Sequence, residues 1–84
     1  MSAEQKLLTY LSQTFPREAG QAITASDALL DEGLIDSVGI FELVAFIERD
    51  FGVSVQDEEI VPENFETVAH IARYIERKQQ ARSS

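Results

Sequence analysis

At 84 residues the chain has room for one small domain, and a domain of that size buries only about 60% of the surface its unfolded chain exposes. It contains neither cysteine nor tryptophan, which excludes disulfide staples and thiolate zinc sites and leaves the core to aliphatic residues and Phe. The formal net charge is −8, and such a balance opposes a nucleic-acid partner.

The charge is unevenly placed. Between Asp27 and Glu66 the only base is Arg49, whereas Arg73, Arg77, Lys78 and Arg82 gather near the C-terminus. An acidic middle of this kind attracts basic protein surfaces, although charge of one sign also serves simple solubility. No apolar run approaches the roughly 18 residues of a membrane span, and MSAEQKLLTY has no signal-peptide h-region. The expectation is a soluble, cytoplasmic protein without membrane insertion.

The first helix is marked by Leu7, Leu8, Leu11 and Phe15 at helical spacing, with Ser2 and Gln5 forming a capping-box pattern at its start. Pro16 restricts Phe15 and should end it. From Arg17 to Asp36 the pattern gives way to turn and cap residues, Gly20, Thr24, Ser26, Asp27 and Gly33. Isolated apolar side chains (Ile23, Leu29, Leu30, Leu34, Ile35) are expected to be pinned on the core. So long a connection is usually functional or holds a short helix.

A second helix is predicted from Ser37 to Phe51, with Asp36 as N-cap and Gly52 just past its end. Val53-Ser54-Val55 alternates but is short for a strand. Gln56–Val61 reads as one acidic helical turn stopped by Pro62. Thr67 caps a last helix carrying Val68, Ala69, Ile71, Ala72 and Ile75, closed by Arg77 and Lys78 at the negative end of its dipole. The residues from Gln79 to Ser84 are expected to fray. The fold class is therefore all-α, a small three- to four-helix bundle with a long first loop, as a single domain over residues 1–84.

The second helix carries most of the information. At about 100° per residue, Ile40, Leu43, Val44, Ile47 and Phe51 share one stripe, the core face. The other side should be polar, yet Val38, Phe41 and Ala45 cluster there among Glu42, Glu48 and Arg49. An apolar patch ringed by charge suits a transient protein-binding surface, unless the first loop folds over it. Ser37 lies on the border of the two faces, in the first turn. There a phosphodiester would meet free backbone N–H groups and the positive end of the helix dipole. Taken alone, a Ser after an Asp at a helix start is simple capping.

The run GLIDSVGIFELVAFIERDFGV, however, resembles the phosphopantetheine attachment region of acyl carrier proteins. Asp36-Ser37-Val38 matches that family's Asp-Ser-Leu-type triplet, Glu42-Leu43-Val44 its middle, and Glu48–Phe51 its end. Leu30, Gly33, Leu34 and Ile35 fit the lead-in, and Val53–Val55, Asp57-Glu58-Glu59 and the helix after Thr67 fit the family's third and fourth helices. The resemblance implies an acyl carrier protein of the acyl-carrier bundle fold, a monomer and not an enzyme. Ser37 would bear a covalent 4′-phosphopantetheine arm donated by coenzyme A, and Asp36 would help the phosphopantetheinyl transferase arrange its metal and substrate. Val38, Phe41, Glu42, Ala45 and Glu48 would form the partner face. Acyl groups would be held as thioesters on the arm's thiol. The further partners implied are an acyl- or aminoacyl-loading ligase and downstream synthase or transferase enzymes of fatty-acid-like or specialised lipid or polyketide synthesis.

Three residues depart from the family pattern. Val38 stands for the usual Leu. Gly39 occupies the first helical turn, where it costs about 0.8–1 kcal/mol against Ala; it is either tolerated or gives a transferase close approach. Arg49 interrupts an acidic run, which points to a dedicated partner in a specialised pathway. An aminoacyl or peptidyl carrier loaded by an adenylating ligase shares the fold and the serine, and an unmodified helical adaptor is the alternative from another class. Catalysis finds little footing: His70 is the only histidine, with no cysteine to join it. Asp57-Glu58-Glu59 lacks the alternating carboxylates and central Gly of a calcium loop, so no metal site is expected.

Overall fold

The computed structural model describes residues 2–15, 23–31, 33 and 35–83. Pro16, Arg17 and Gly20 at the head of the first loop, and Glu32 and Leu34 within it, lie outside the described residues. Among the described residues the secondary structure is entirely helical: α1 (Ala3–Thr14), α2 (Ser37–Phe51), a 3₁₀ turn (Asp57–Glu59), α3 (Pro62–Phe65) and α4 (Val68–Ser83).

α1 starts where Ser2 Oγ accepts from the Gln5 amide at 3.2 Å, the hydroxyl half of the expected box. It buries Leu7 and Leu11 and ends at Phe15, whose amide still bonds the Leu11 carbonyl. α2 has the predicted limits. Asp36 Oδ1 accepts from the Gly39 amide at 2.7 Å, and Gly52 takes the left-handed conformation at φ 68° that lets the chain leave the helix without a Cβ penalty. Ile40, Leu43 and Ile47 are buried, with Val44 and Phe51 packed against the same core. Phe46 is buried too, its ring stacked 4.0 Å from that of Tyr10 across the α1–α2 contact.

The first loop is fastened by backbone bonds rather than by regular structure. The Thr24 amide is held by Asp27 Oδ2, the Ala25 carbonyl accepts from Ala69 N, and Leu29 N donates to the Glu66 carbonyl at 2.9 Å. Leu29 and Ile35 are buried as expected and Ile23 is half-buried. Leu30 is a correction: it stands 48% exposed, because the turn closed by Gly33 N and the Leu30 carbonyl carries it to the outside.

The C-terminal half departs from expectation in three ways. Pro62 does not stop a helix; it opens α3, a place where its missing N–H costs nothing. The acidic turn ahead of it is a separate 3₁₀ turn. α4 runs through to Ser83, well past Arg77 and Lys78. Arg77 and Lys78 consequently sit in mid-helix and do not close it. They reach sideways instead, Arg77 to Asn64 Oδ1 at 3.0 Å and Lys78 to Glu59 at 2.9 Å.

Candidate functional site

The start of α2 gathers the chemistry. Ser37 is its first residue and is solvent-exposed. With the third amide of the helix taken by Asp36 Oδ1, the amides of Ser37 and Val38 ahead of it have no intrahelical acceptor. They face the end of the helix where an anionic substituent on Ser37 would lie, and the dipole favours negative charge there.

Beside Ser37 opens a cleft of about 380 Å³. One side is formed by Ala28, Leu30 and Asp31 of the first loop with Ile40 and Phe41 of α2. The other side is Ile60, Val61, Pro62, Phe65 and Glu66, from the approach to α3 through its end. The lining is chiefly apolar, and among the described residues its charged groups are the carboxylates of Asp31 and Glu66, with no base. The volume falls within the roughly 300–1,000 Å³ usual for small-molecule sites. No sequence signal pointed to it, because its two sides meet only in the fold.

The side of α2 facing away from the core keeps its apolar patch in water. Val38 is 65% and Phe41 66% exposed, and Ala45 is exposed as well. Glu42 is exposed, with no side-chain hydrogen bond or ion pair among the described residues. Glu48 is exposed but occupied, its Oε2 accepting from the Val55 amide at 3.0 Å and so fixing the chain after α2. Arg49 pairs with Asp50 at 3.1 Å and lies over the Phe46 ring. The acidic patch and the interrupting arginine therefore do not share one role: Glu42 is free for contact and Glu48 is partly structural.

Gly39 has a reason that lies outside the helix. A Cβ built there would stand 2.9 Å from Phe15 Cε1 and 3.3 Å from Asp36 Oδ1. The glycine admits the end of α1 against the first turn of α2, and so helps hold Ser37 in place.

The other candidates from the sequence are tied into the structure. His70 Nδ1 lies 2.7 Å from Thr67 Oγ1, which also accepts from the His70 amide and caps α4. Of the acidic triplet, Glu59 is turned inward: its carboxylate accepts from the Gln56 amide, Tyr74 OH and Lys78 Nζ. These donors, the Gln56 amide first and Lys78 next, hold its carboxyl below the ordinary range, with burial working the other way. Burial and then the bond to Glu59 push the Tyr74 hydroxyl well up. Among the described residues no group of three or more His, Asp or Glu side chains is placed to hold a metal ion, and no helix is long and apolar enough to cross a membrane.

Fold and site together define an acidic helical domain with Ser37 exposed at the start of α2, next to a chiefly apolar cleft and an exposed apolar patch. Comparison with known proteins gives that class its family. The family model described as "Phosphopantetheine attachment site" matches residues 5–75. The chain is 30% identical over 74 residues to the probable acyl carrier protein PigG of Serratia sp. (strain ATCC 39006), covering 88% of this chain and 85% of that protein. It is 27% identical over 81 residues to the D-alanyl carrier protein of Streptococcus pyogenes serotype M5, covering 96% of this chain and all of that protein. A chain in a crystal structure described as an FAD-dependent dehydrogenase superposes with a TM-score of 0.74 at 30% identity, covering 82% of this chain and 97% of the other.

The chain belongs to the phosphopantetheine-binding carrier family, whose members carry a covalently attached 4′-phosphopantetheine. It is a carrier rather than an enzyme, as are the relatives named for their cargo. The residues present fit that group: an exposed hydroxyl in the first turn of α2, first-turn amides with no intrahelical acceptor, and an open cleft beside it.

Proposed function

We propose that the chain holds acyl intermediates on a 4′-phosphopantetheine arm at Ser37 and presents them to partner enzymes of fatty-acid-like or specialised lipid or polyketide synthesis. The observation that carries this is the exposure of Ser37 in the first turn of α2, inside the matched family segment and on the edge of an apolar cleft. A phosphopantetheinyl transferase would join Ser37 Oγ to the pantetheine-bearing phosphorus of coenzyme A. Adenosine 3′,5′-bisphosphate leaves in that step and the hydroxyl proton is lost. Asp36 would serve the transferase as well as the helix. The arm supplies a thiol that holds cargo as a thioester, while the chain contributes placement, a sheltering cleft and the docking face of Val38, Phe41, Glu42, Ala45 and Glu48. Dependence on coenzyme A makes a cytoplasmic location, and action as a monomeric domain, part of the same reading.

A second reading has specific support: the carrier is loaded with an aminoacyl group by an adenylating ligase. The D-alanyl carrier relative aligns over its whole length, and among the described residues the cleft carries Asp31 and Glu66 and no base, a lining that suits a cargo ammonium. The carrier-sized chain in the FAD-dependent dehydrogenase crystal supports adding a flavin-dependent dehydrogenase to the candidate partners.

Intact-protein mass spectrometry after incubation with coenzyme A and a transferase tests the assignment, with Ser37→Ala in parallel. One phosphopantetheine on the wild type and none on the variant is expected. Addition to neither, with the transferase active on a control, would return Ser37 to the role of a helix residue in an unmodified adaptor. Loading the modified protein with acyl- and aminoacyl-adenylating ligases then separates the two cargo classes.

A further inference from the structure

The cleft beside Ser37 has one side built by α2 and the first loop and another built by the short segment from Ile60 to Glu66. That second side packs chiefly on α4, leaving its open face toward α2. Its far end is tied to the first loop by Leu29 N donating to the Glu66 carbonyl, and the rest of its position is set by side-chain contacts made to α4. At its far end Phe65 is buried, its ring 5.4 Å from that of Tyr74. At its near end Glu59 places one carboxylate oxygen on the Gln56 amide at 3.0 Å, Tyr74 OH at 3.0 Å and Lys78 Nζ at 2.9 Å. The Glu59 carbonyl accepts from Asn64 Nδ2, whose own Oδ1 takes Arg77. Tyr74, Arg77 and Lys78 thus grip one segment from a single face of α4.

We propose that Glu59 is a positioning residue for the cleft beside Ser37, its carboxylate fixing how far α3 stands from α2 and so how closely the cleft encloses cargo carried there. A four-residue helix has too few internal bonds to hold its own orientation. Without the Glu59 carboxylate, the near end keeps only the Asn64–Arg77 bond beside the Phe65 contact, and Ile60, Val61 and Pro62 gain room to move. Tyr74 and Lys78 belong to the same device, since each donates to the same carboxylate. The part concerning the cleft's width stands on the fold alone; the part concerning cargo rests on the proposed attachment at Ser37.

The chain has no cysteine, so a spin-label pair introduced at Val38→Cys on α2 and Glu63→Cys on α3, both exposed positions, reads the separation directly in the unmodified full chain. Glu59→Gln and Lys78→Met are expected to broaden the distance distribution and lengthen its mean, whereas Lys78→Arg, which keeps a donor, restores the wild-type distribution. Tyr10→Leu, which removes the ring stacked on Phe46 away from the cleft, lowers stability without that shift. A distribution unchanged in Glu59→Gln and Lys78→Met, or changed equally in Tyr10→Leu, overturns the proposal. In protein that mass spectrometry shows to be modified at Ser37, Glu59→Gln is expected to speed hydrolysis of a hexanoyl thioester several-fold and leave an acetyl thioester unchanged. Equal rates for wild type and variant with both cargoes would overturn the part about enclosure. Failure to modify Ser37 would instead remove the carrier assignment and leave the distance result standing.

Discussion

A Cβ on Gly39 would stand 2.9 Å from Cε1 of Phe15, so the last ring of α1 occupies the space that any other residue at that position would need. The glycine is therefore coupled to a side chain far away in sequence. Replacing Gly by Ala in a helix should gain about 0.8–1 kcal/mol, while overpacking costs about 1–3 kcal/mol. Gly39→Ala is expected to be neutral or destabilising in the wild type. In a Phe15→Ala background it is expected to stabilise by close to the full helix gain. Denaturant unfolding of the four chains in this cycle measures the coupling, and additive effects would show that Phe15 does not define the position.

Asp36 has a structural task that its exposed position could hide. Its Oδ1 accepts from Gly39 N at 2.7 Å. Asp36→Ala should lose about 0.5–2 kcal/mol, whereas Asn caps nearly as well. Asp36→Asn is therefore expected to keep the unfolding midpoint close to wild type while slowing modification by the transferase. Modification at the wild-type rate in the Asn variant would confine Asp36 to capping.

What was legible in the sequence was local. The limits of α2 are written in Asp36 and Gly52, one offering a cap oxygen and the other tolerating positive φ, and the structure has both. The exposed patch of Val38, Phe41 and Ala45 came from periodicity alone. Pro62 was ambiguous because proline both forbids helix interior and favours the first turn; contacts from α4 decide which. The same holds for Arg77 and Lys78, which suit a helix end on charge but bond to Asn64 and Glu59. The cleft and the reason for Gly39 were out of reach, since each joins residues separated by long stretches of chain. Leu30 shows the opposite limit: an apolar side chain in a loop carries no period to say which way it points.

Glu42 and Glu48 look alike in sequence and should behave differently. Glu42→Lys is expected to slow association with the transferase, weaken its salt dependence, and change stability by no more than about 0.5 kcal/mol. Glu48→Lys should slow association too, and in addition lose about 1 kcal/mol, because the Val55 amide loses its acceptor. Glu48→Gln keeps an oxygen there and should recover most of that stability. Stopped-flow binding at several salt concentrations, beside thermal unfolding, separates the effects. Equal stability of the two Lys variants would remove the structural share assigned to Glu48.

The anchor at Glu59 should also appear as a pH dependence with a definite sign. Its carboxyl is held below the ordinary value of 4.5, first by the Gln56 amide and then by Lys78. In the unfolded chain the group returns to that ordinary value, so folding favours the ionised form. The resulting stability is complete above the unfolded value and is lost as pH falls through the lower folded one. The Glu59–Lys78 pair keeps about a quarter of its side-chain surface in water, 27% and 26%, so solvent screening limits its worth. The stability difference between wild type and Glu59→Gln is expected to be about 1 kcal/mol at neutral pH. It should shrink toward zero on acidification below the ordinary carboxylate value. Tyr74 has the opposite sign: its hydroxyl is pushed above the ordinary 10.0, chiefly by burial, so its contribution is whole below that value and fades only in strong alkali. Tyr74→Phe should then differ from wild type by a constant amount through neutral pH. Urea unfolding of the three chains from acid through strong alkali reads both slopes, and a Glu59→Gln difference that stayed constant into acid would mean that the ionised carboxylate does not hold the segment.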